Sequence, residues 1–153
     1  MPTDFQPIAQ IACEFRFEAS HQLRRDDWSE AENDAIFGNC ARLHGHSYRL
    51  VVALRGPIDP ATGMVMNFQE VKRLVRERVV SRLDHYHLND VVGGLTTAEN
   101  LLYWMADQLL GPLPADLLAR LELWETATCC AFLAEAELQA FAQARARAAI
   151  AIV

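Results

Sequence analysis

The sequence predicts an α+β domain in the order strand, strand, helix, helix, strand, strand. Two kinds of pattern support this prediction. Apolar and polar residues alternate near residues 11, 44 and 121, which is typical of half-buried strands. Two segments between residues 67 and 110 instead repeat apolar residues at helical spacing. The chain contains no internal repeat or linker, so we expect residues 1–153 to form a single domain.

Composition limits the class of protein. The 153 residues are 52% hydrophobic and 22% charged, with a net charge of −6, which favours a folded core over disorder. Because the balance is acidic and no basic cluster is longer than Arg24-Arg25, we expect neither nucleic-acid nor membrane binding. The absence of a long apolar run and of a basic N-terminal region predicts a soluble, cytoplasmic protein.

The first strand is predicted at residues 11–19. One predicted face carries Cys13, Phe15, Phe17 and Ala19, and the other carries Glu14, Arg16 and Glu18. The acidic segment from Arg24 to Asn39 shows no sustained period, so it is interpreted as a long loop with room for a helical turn. Loops of this length in compact domains are usually functional.

A second strand is predicted from His44 to about Leu54, followed by turns and a short extended segment at 64–66. Asn67 is a good helix N-cap, and Glu70 occupies the capping-box position. The helix that follows has an apolar stripe composed of Phe68, Val71, Leu74, Val75, Val79 and Leu83.

A polar loop is predicted from Leu83 to Gly94. Thr96 and Glu99 then predict a second capping box, and the helix it opens ends at Gly111-Pro112. This capping role is a complete structural explanation for Glu99, and we prefer it to a catalytic one on the residues alone.

The last third of the chain predicts two strands and a helix. Alternation over residues 121–127 predicts the third strand, and Cys129 to Ala134 the fourth. The adjacent Cys129 and Cys130 would then point to opposite faces of a strand, and all four cysteines are expected to be reduced thiols. The Ala-rich tail from Glu135 to Arg147 predicts a helix.

Three histidines form a candidate metal site. His44 and His46 are two residues apart on a predicted strand, so their side chains leave the same face. His21 continues the apolar alternation of the first strand, and antiparallel pairing would bring it to the same layer. Three neutral imidazoles with an open position are the ligand set of a catalytic zinc ion. Separate core or surface histidines are the alternative.

Cys40 lies four residues before His44 and has two functional interpretations. It could be a fourth ligand that closes a structural zinc site of one cysteine and three histidines. It could instead be an unligated thiol whose pKa the nearby metal lowers, which would make it a usable base. Its polar surroundings argue against an inert buried cysteine.

Two acidic positions are candidates as well. Asp84 precedes His85, and such pairs can fix an imidazole tautomer and poise a proton carrier. For this pair alone we favour a structural role at a helix C-terminus. Glu125 takes an apolar position between Leu123 and Ala127, where a carboxylate is costly unless something pairs with it. An amino-pyrimidinone edge would pair with it through two N–H groups, and an edge-strand or salt-bridged glutamate is the equally weighted alternative.

Together these residues resemble the 6-pyruvoyl-tetrahydropterin synthase superfamily, and within it the bacterial 6-carboxy-tetrahydropterin synthases of the queuosine pathway. The similarity covers about residues 11–134. The matching elements are Phe17-Glu18-Ala19-Ser20-His21-Gln22-Leu23, Cys40 to Tyr48, Gly63 to Phe68, Leu83-Asp84-His85 with Leu88-Asn89, Thr97-Ala98-Glu99-Asn100, and Trp124-Glu125-Thr126. Each element is weak alone, and their order and spacing make the resemblance specific.

The resemblance implies the tunnelling fold (T-fold), an antiparallel four-stranded sheet with two helices on one face (ββααββ) that assembles into an oligomeric barrel. It implies a homohexamer of two stacked trimers, with active sites between subunits. Zinc would be bound by His21, His44 and His46. The extension at 135–153 lies outside the similarity and receives no catalytic role.

The remaining roles also follow from the resemblance. Cys40 would be the thiolate base, and Asp84 with His85 the second proton-transfer group. Glu125 would anchor the pterin's 2-amino and ring N–H groups, and Thr97 and Glu99 would join it in binding the substrate, 7,8-dihydroneopterin triphosphate. Surface arginines are candidates for the triphosphate, although solvated arginines are the commoner outcome; they are Arg24, Arg25 and Arg42.

Spacing predicts the branch of the superfamily. Mammalian-type 6-pyruvoyl enzymes usually have a longer spacer between the cysteine and the first histidine than the Ala41-Arg42-Leu43 of this chain. The short spacer favours a carbon–carbon lyase that releases acetaldehyde and triphosphate. A 6-pyruvoyl synthase and a non-catalytic pterin- or zinc-binding protein are the alternatives. Asn67 stands where the family usually has Asp.

Overall fold

The computed structural model describes residues 5–114 and 116–150. In that part of the chain four strands form one antiparallel sheet in the order β1-β2-β3-β4. The strands are β1 (Ile8–His21), β2 (His44–Pro57), β3 (Leu118–Trp124) and β4 (Cys130–Leu133). The predicted α+β class and the antiparallel sheet are confirmed.

Helices fill the connections between the strands. They are α1 (Glu30–Phe37), α2 (Phe68–Val75), α3 (Ser81–Leu83), α4 (Leu88–Val92), α5 (Ala98–Leu109) and α6 (Glu135–Ile150). A 3₁₀ turn at Gly38–Ala41 precedes β2, and a π-helical turn at Arg76–Val80 joins α2 to α3. The predicted first helix is therefore one run of α, π and α turns. Within the described residues no helix is long and apolar enough to cross a membrane.

The core lies between the helices and one face of the sheet. Phe15 pairs with Leu50 and Phe17 with Tyr48 across β1 and β2, and the rings of Phe17 and Tyr48 stack with centroids 4.9 Å apart. The helices add buried side chains to this layer, including Val71, Val75, Val79, Leu83, Leu101, Leu102, Met105 and Leu109. Because strand side chains alternate between faces, a one-residue slip would expose this entire layer, so burial fixes the register.

The predicted loop from Arg24 to Asn39 contains helix α1, which the sequence analysis missed. Ser29 caps this helix: its hydroxyl accepts the N–H of Glu32, and the Glu32 carboxylate accepts the N–H of Ser29 at 2.8 Å. The helix has only eight residues and buries a single side chain, Asn33, so it lacks the apolar period that reveals longer helices. Its capping box was the signal available in the sequence.

The other predicted caps are partly wrong. Asn67 does cap α2, accepting the N–H of Gln69 at 2.8 Å, but Glu70 pairs with Arg73 instead of closing a capping box. The Thr96–Glu99 capping box does not form, because α5 begins one residue later with Thr97 as its N-cap.

Three boundaries also differ from the sequence prediction. Strand β3 ends at Trp124, so Glu125 lies in the bend beyond the strand. The segment 64–66, predicted to be short and extended, contains a bend at residues 65–66, and the predicted loop after Leu83 contains α4. The predicted C-terminal helix is confirmed as α6, which packs onto α5 through a contact between Phe141 and Tyr103 with ring centroids 5.2 Å apart.

Replacing Asn67 tests whether capping explains this position. We expect Asn67→Ala to lower the free energy of unfolding by about 1 kcal/mol, because the N–H of Gln69 loses its acceptor. Asn67→Asp is the matched control, and it should change stability by no more than a few tenths of a kcal/mol, since both side chains cap well. Urea unfolding followed by circular dichroism measures both. An equal loss in the two variants would contradict the capping role.

Candidate functional site

The sheet register brings the three histidines together. His21 is the last residue of β1 and pairs directly with His44, the first residue of β2, while His46 pairs with Ala19. All three lie on the helix-facing side of the sheet, as the alternation predicts. Between the two histidines of β2, a Cβ at Gly45 would lie 3.1 Å from the carbonyl oxygen of Ala19, which favours glycine there.

A carboxylate completes a cluster with these imidazoles. The Nε2 atoms of His21 and His44 are 3.0 Å apart. Oε1 of Glu125 lies 3.2 Å from Nε2 of His21 and 3.1 Å from Nε2 of His46. One ligating atom of each residue lies within 4.8 Å of the others. We call His21, His44, His46 and Glu125 the histidine–carboxylate cluster.

Hydrogen bonds fix the tautomers of two of these imidazoles. Nδ1 of His21 lies 3.0 Å from the carbonyl oxygen of Thr96, and Nδ1 of His44 lies 2.7 Å from that of Arg42. A carbonyl oxygen only accepts hydrogen bonds, so in a neutral imidazole each Nδ1 carries the proton and each Nε2 carries a lone pair. The two lone pairs face each other at 3.0 Å, and a cation between them would remove their repulsion.

The donor set fits a zinc ion. Bonds of 2.0–2.1 Å to a tetrahedral zinc place its ligand atoms roughly 3.3 Å apart, close to the 3.0, 3.1 and 3.2 Å separations in the cluster. Nε2 of His46 is buried and has no hydrogen-bond partner of good geometry among the described residues. Metal-ligating histidines usually donate their other N–H to an oxygen acceptor, as His21 and His44 do. These residues could therefore hold a metal ion.

The electrostatics of the cluster favour the protonation states of Glu125 and His46 that bind metals. The hydrogen bond that a protonated His21 donates to the carboxylate, together with the charges of protonated imidazoles nearby, holds the pKa of Glu125 below its usual value, despite the opposing effect of burial. Burial lowers the pKa of His46 and outweighs the attraction of Glu125 for the protonated ring. An ionised carboxylate and a neutral imidazole are the forms that bind metals.

Tyr48 is a polar group of the site to which the sequence analysis assigned no role. Its ring lies 5.5 Å from that of His46, and its hydroxyl is buried without a hydrogen-bond partner in the described part of the chain. Burial, with smaller contributions from the negative charges of Glu125 and Cys40, raises its pKa above the usual value. The phenol therefore remains protonated and can donate a hydrogen bond to a ligand.

A cleft of about 260 Å³ adjoins the cluster. Its walls include Thr97, Glu99 and Glu125, the three residues that the resemblance assigned to substrate binding. Glu125 is held at this position by the hydrogen bond from its N–H to the carbonyl of Cys129, at 3.2 Å. Glu125 thus contacts two of the imidazoles and also lines the cleft.

Cys40 lies in the 3₁₀ turn before β2 and is partly buried. Its carbonyl accepts the N–H of Leu23 at 2.8 Å, and Gln22 donates to the carbonyl of Ala41 at 2.7 Å, so the turn is anchored just after His21. Its thiol is not one of the four ligating groups of the cluster. This geometry supports an unligated thiol over a closed site of one cysteine and three histidines.

Asp84 and His85 are in contact, as the sequence suggested they could be. Oδ1 of Asp84 lies 2.9 Å from Nδ1 of His85 and accepts the N–H of Glu18 at 2.9 Å. These two interactions, the Glu18 N–H first, hold the pKa of Asp84 below its usual value. His85 has a positive φ of 65°, and its N–H donates to the carbonyl of Glu18. The pair is therefore docked on β1, with the imidazole 77% exposed.

Asn89 links the elements that support His21, a role that the sequence analysis did not assign. Its side chain accepts the N–H of Gln22 at 3.0 Å and donates to the carbonyls of Gln22 and Gly94 at 2.8 and 3.2 Å. The hydroxyl of Thr96, whose carbonyl binds His21, donates to Asn89 as well, at 3.4 Å. The available signal was an asparagine in a predicted polar loop, which does not reveal its backbone partners.

The arginines suggested for the triphosphate differ in their surroundings. Arg25 is held by Asp27 through two hydrogen bonds of 2.9 and 2.7 Å, and it also lies over the ring of Trp28. Arg24 lies 3.9 Å from Asp26, and Arg42 is 3.4 Å from the side chain of Asn39. The charge of Arg25 is thus already compensated, whereas Arg24 and Arg42 have only long contacts.

Comparison with known proteins places these features in a family context. A family model described as 6-pyruvoyl tetrahydropterin synthase matches residues 10–136, a range that contains the whole cluster. The 6-pyruvoyl tetrahydrobiopterin synthase of Homo sapiens is 39% identical over 127 residues, covering 77% of this chain and 86% of that protein. The corresponding Dictyostelium discoideum synthase is 41% identical over 114 residues, covering 72% and 84%.

Another relative and a solved structure extend the comparison. The dihydroneopterin monophosphate aldolase of Pyrococcus furiosus is 36% identical over 118 residues, covering 76% of this chain and 90% of that protein. The structure of Caenorhabditis elegans 6-pyruvoyl tetrahydropterin synthase superposes with a TM-score of 0.79 at 30% identity, covering 85% of this chain and 98% of that one.

Removing one imidazole tests the metal site. We expect His44→Ala to lose most of the bound zinc, because two of the three nitrogen ligands remain. His87→Ala is the matched control: His87 lies 3.2 Å from the hydroxyl of Ser20 and outside the cluster, so the metal content should not change. Metal analysis after dialysis measures both variants. Equal metal contents in His44→Ala and the unmodified protein would contradict the assigned site.

Asn89→Ala tests the support of His21. The change leaves the N–H and carbonyl of Gln22, the carbonyl of Gly94 and the hydroxyl of Thr96 without this partner. We therefore expect the free energy of unfolding to fall by about 2–3 kcal/mol. Zinc affinity should also fall, by about tenfold or more, as for other residues that orient metal ligands. Asn100→Ala is the control, because the side chain of Asn100 donates to the carbonyl of Leu95 and makes no other hydrogen bond among the described residues. Competition with a chromogenic chelator measures the affinity, and an unchanged value would contradict the positioning role.

Proposed function

Since the chain belongs to the 6-pyruvoyl tetrahydropterin synthase family, we propose that it converts 7,8-dihydroneopterin triphosphate to 6-pyruvoyl tetrahydropterin with elimination of triphosphate. The observation that carries this proposal is the pair of facing Nε2 lone pairs at 3.0 Å, beside a carboxylate that borders a cleft. A metal ion and a heterocycle with N–H groups would complement this arrangement.

The choice of product departs from the expectation based on spacing. The short spacer between Cys40 and His44 favoured the 6-carboxy branch, whereas the human and Dictyostelium relatives are named 6-pyruvoyl synthases. We therefore propose the 6-pyruvoyl reaction first. The 6-carboxy reaction, which cleaves a carbon–carbon bond, is the second candidate because the spacer remains unexplained by the first.

Zinc is the proposed cofactor, held by His21, His44 and His46. When bound, zinc would polarise the side-chain oxygens of the substrate and lower the pKa of its hydroxyl groups. The carbonyls of Thr96 and Arg42 keep the Nδ1 protons of His21 and His44 in place, so their Nε2 lone pairs would be available to hold the ion.

The proposed pterin site is the cleft lined by Glu125, Thr97 and Glu99. The lowered pKa of Glu125 keeps it ionised at neutral pH, so it can accept hydrogen bonds from the 2-amino group and the adjacent ring N–H. Since Oε1 of Glu125 contacts two imidazoles, pterin binding and metal binding would share this carboxylate. Thr97 and Glu99, at the start of α5, would form the opposite wall.

Proton transfer is assigned to Cys40 and to Asp84 with His85. Cys40 would remove a proton from a side-chain carbon of the substrate as an unligated thiolate. Asp84 accepts the N–H of Glu18 and contacts Nδ1 of His85, which would orient the imidazole and leave Nε2 free to exchange a proton. The exposure of His85 in the single chain agrees with a site that another subunit completes, as in the proposed homohexamer of stacked trimers. We also propose a cytoplasmic location.

A non-catalytic binding protein with a closed zinc site is the alternative from another class. Cobalt substitution separates the two, because a thiolate ligand gives an intense charge-transfer band that imidazoles and carboxylates do not. We expect no such band, since the thiol of Cys40 lies outside the cluster.

Product analysis tests the proposed reaction. We expect the zinc-loaded protein to convert 7,8-dihydroneopterin triphosphate to a product with the mass of 6-pyruvoyl tetrahydropterin, without acetaldehyde. Acetaldehyde together with a 6-carboxy product would instead assign the 6-carboxy reaction to the protein. Bound zinc without turnover would contradict both reactions and favour a binding protein.

Cys40→Ala separates chemistry from metal binding. We expect turnover to fall by about 10²–10⁴, the usual contribution of a general base, while zinc content and thermal stability stay unchanged. Cys13→Ala is the control, because Cys13 is buried in the core away from the cluster, and it should affect stability more than turnover. Zinc loss in Cys40→Ala equal to the loss of activity would show that Cys40 is a ligand instead.

A further inference from the structure

Cys129 and Cys130 border the proposed pterin cleft together. Both residues are exposed and carry free thiols. They line the same cleft as Glu125, Thr97 and Glu99. The sequence had suggested opposite faces of a strand; Cys129 directly precedes β4, which begins at Cys130, and both residues border this cleft.

The backbone holds the two cysteines next to Glu125. The N–H of Cys129 donates to Oγ1 of Thr126 at 3.1 Å, which closes the turn after β3. The carbonyl of Cys129 accepts the N–H of Glu125 at 3.2 Å, and Cys130 pairs with Trp124 in the sheet. A group bound to these thiols would therefore lie in the cleft and be coupled to the position of Glu125 through one hydrogen bond.

We propose that Cys129 and Cys130 form a dithiol site for thiophilic trivalent metalloid compounds, and that its occupation obstructs the adjacent cleft. Thiolates are soft ligands that prefer soft, polarisable centres. The other two cysteines, Cys13 and Cys40, have no cysteine beside them in the sequence, so this pair is the sequence-adjacent dithiol of the chain. The obstruction part of the inference rests on the proposed function, because it takes the cleft as the pterin site.

The binding reaction is a condensation without oxidation or reduction. With an aryl arsenic(III) oxide, each thiol sulfur forms one bond to arsenic and the arsenic–oxygen bond breaks. The oxygen leaves as water with the two thiol protons, and arsenic remains trivalent. The aryl group and the arsenic atom would then occupy part of a cleft of only about 260 Å³.

Phenylarsine oxide tests the dithiol site. We expect one adduct per chain in the mass spectrum at one equivalent of reagent, reversed by 2,3-dimercaptopropanol but stable to 2-mercaptoethanol, which offers a single thiol. Cys129→Ser and Cys130→Ser should each lose this stable adduct. Cys40→Ser is the matched control and should keep it, since it removes a cysteine near the cluster and leaves the pair intact. No adduct, or an adduct that survives in both serine variants at positions 129 and 130, would overturn the site.

Neopterin binding, measured by the fluorescence of the pterin, tests whether the adduct obstructs the cleft. We expect the adduct to bind neopterin about tenfold more weakly or worse than the reduced protein, and the reagent to have no effect on binding by Cys129→Ser. Equal affinity with and without the adduct would overturn the obstruction. If the reduced protein does not bind neopterin but the adduct maps to both cysteines, the proposed pterin function fails and the dithiol site stands.

Discussion

The pairing of His21 with His44 is the constraint on which the rest of the site depends. These residues end one strand and begin the next, so a single register aligns the imidazoles and also buries Phe15 and Phe17 against Leu50 and Tyr48. A slip of one residue would expose the core and separate the histidines at the same time. The apolar free energy that stabilises the sheet therefore also stabilises the arrangement of the three imidazoles.

Backbone carbonyls then define the chemistry of the imidazoles. Thr96 comes from the segment before α5, and Arg42 from the turn before β2, yet each presents a carbonyl to an Nδ1 atom. Asn89 ties the first of these segments to the chain just after His21. The lone pair of His21 is thus oriented by a carbonyl distant in sequence, and that of His44 by a carbonyl two residues before it. Helices α4 and α5 contribute to the site without supplying an imidazole.

The sequence predicted the parts of this arrangement that follow from alternation and motif order. The strands, the long helices and the shared face of the histidines follow from periodicities of two and of about 3.6 residues. Helix α1 was missed because its eight residues, half of them polar, are too few to show such a period. The carbonyls that bind the imidazoles could not be predicted, because a backbone acceptor has no signature in a side-chain pattern. The end of β3 before Glu125 depends on tertiary packing and was not predicted either. The resemblance identified the family. The spacing between Cys40 and His44 alone favoured the 6-carboxy branch, whereas the human and Dictyostelium relatives are named 6-pyruvoyl synthases.

The π-helical turn at Arg76–Val80 makes the phase of the chain beyond it dependent on a single residue. It allows Val75, Val79 and Leu83, each four positions apart, all to remain buried against the sheet. A π turn is equivalent to one residue inserted into an α-helix and absorbed by a wider turn, so deleting one residue there would restore an ordinary helix and keep Asp84 and His85 in phase with Glu18. One more residue would instead rotate everything that follows by about 100° and move the pair away from Glu18. The length of this segment is therefore restrained in one direction, and an insertion should be far less tolerated here than in the exposed turn at Gly63.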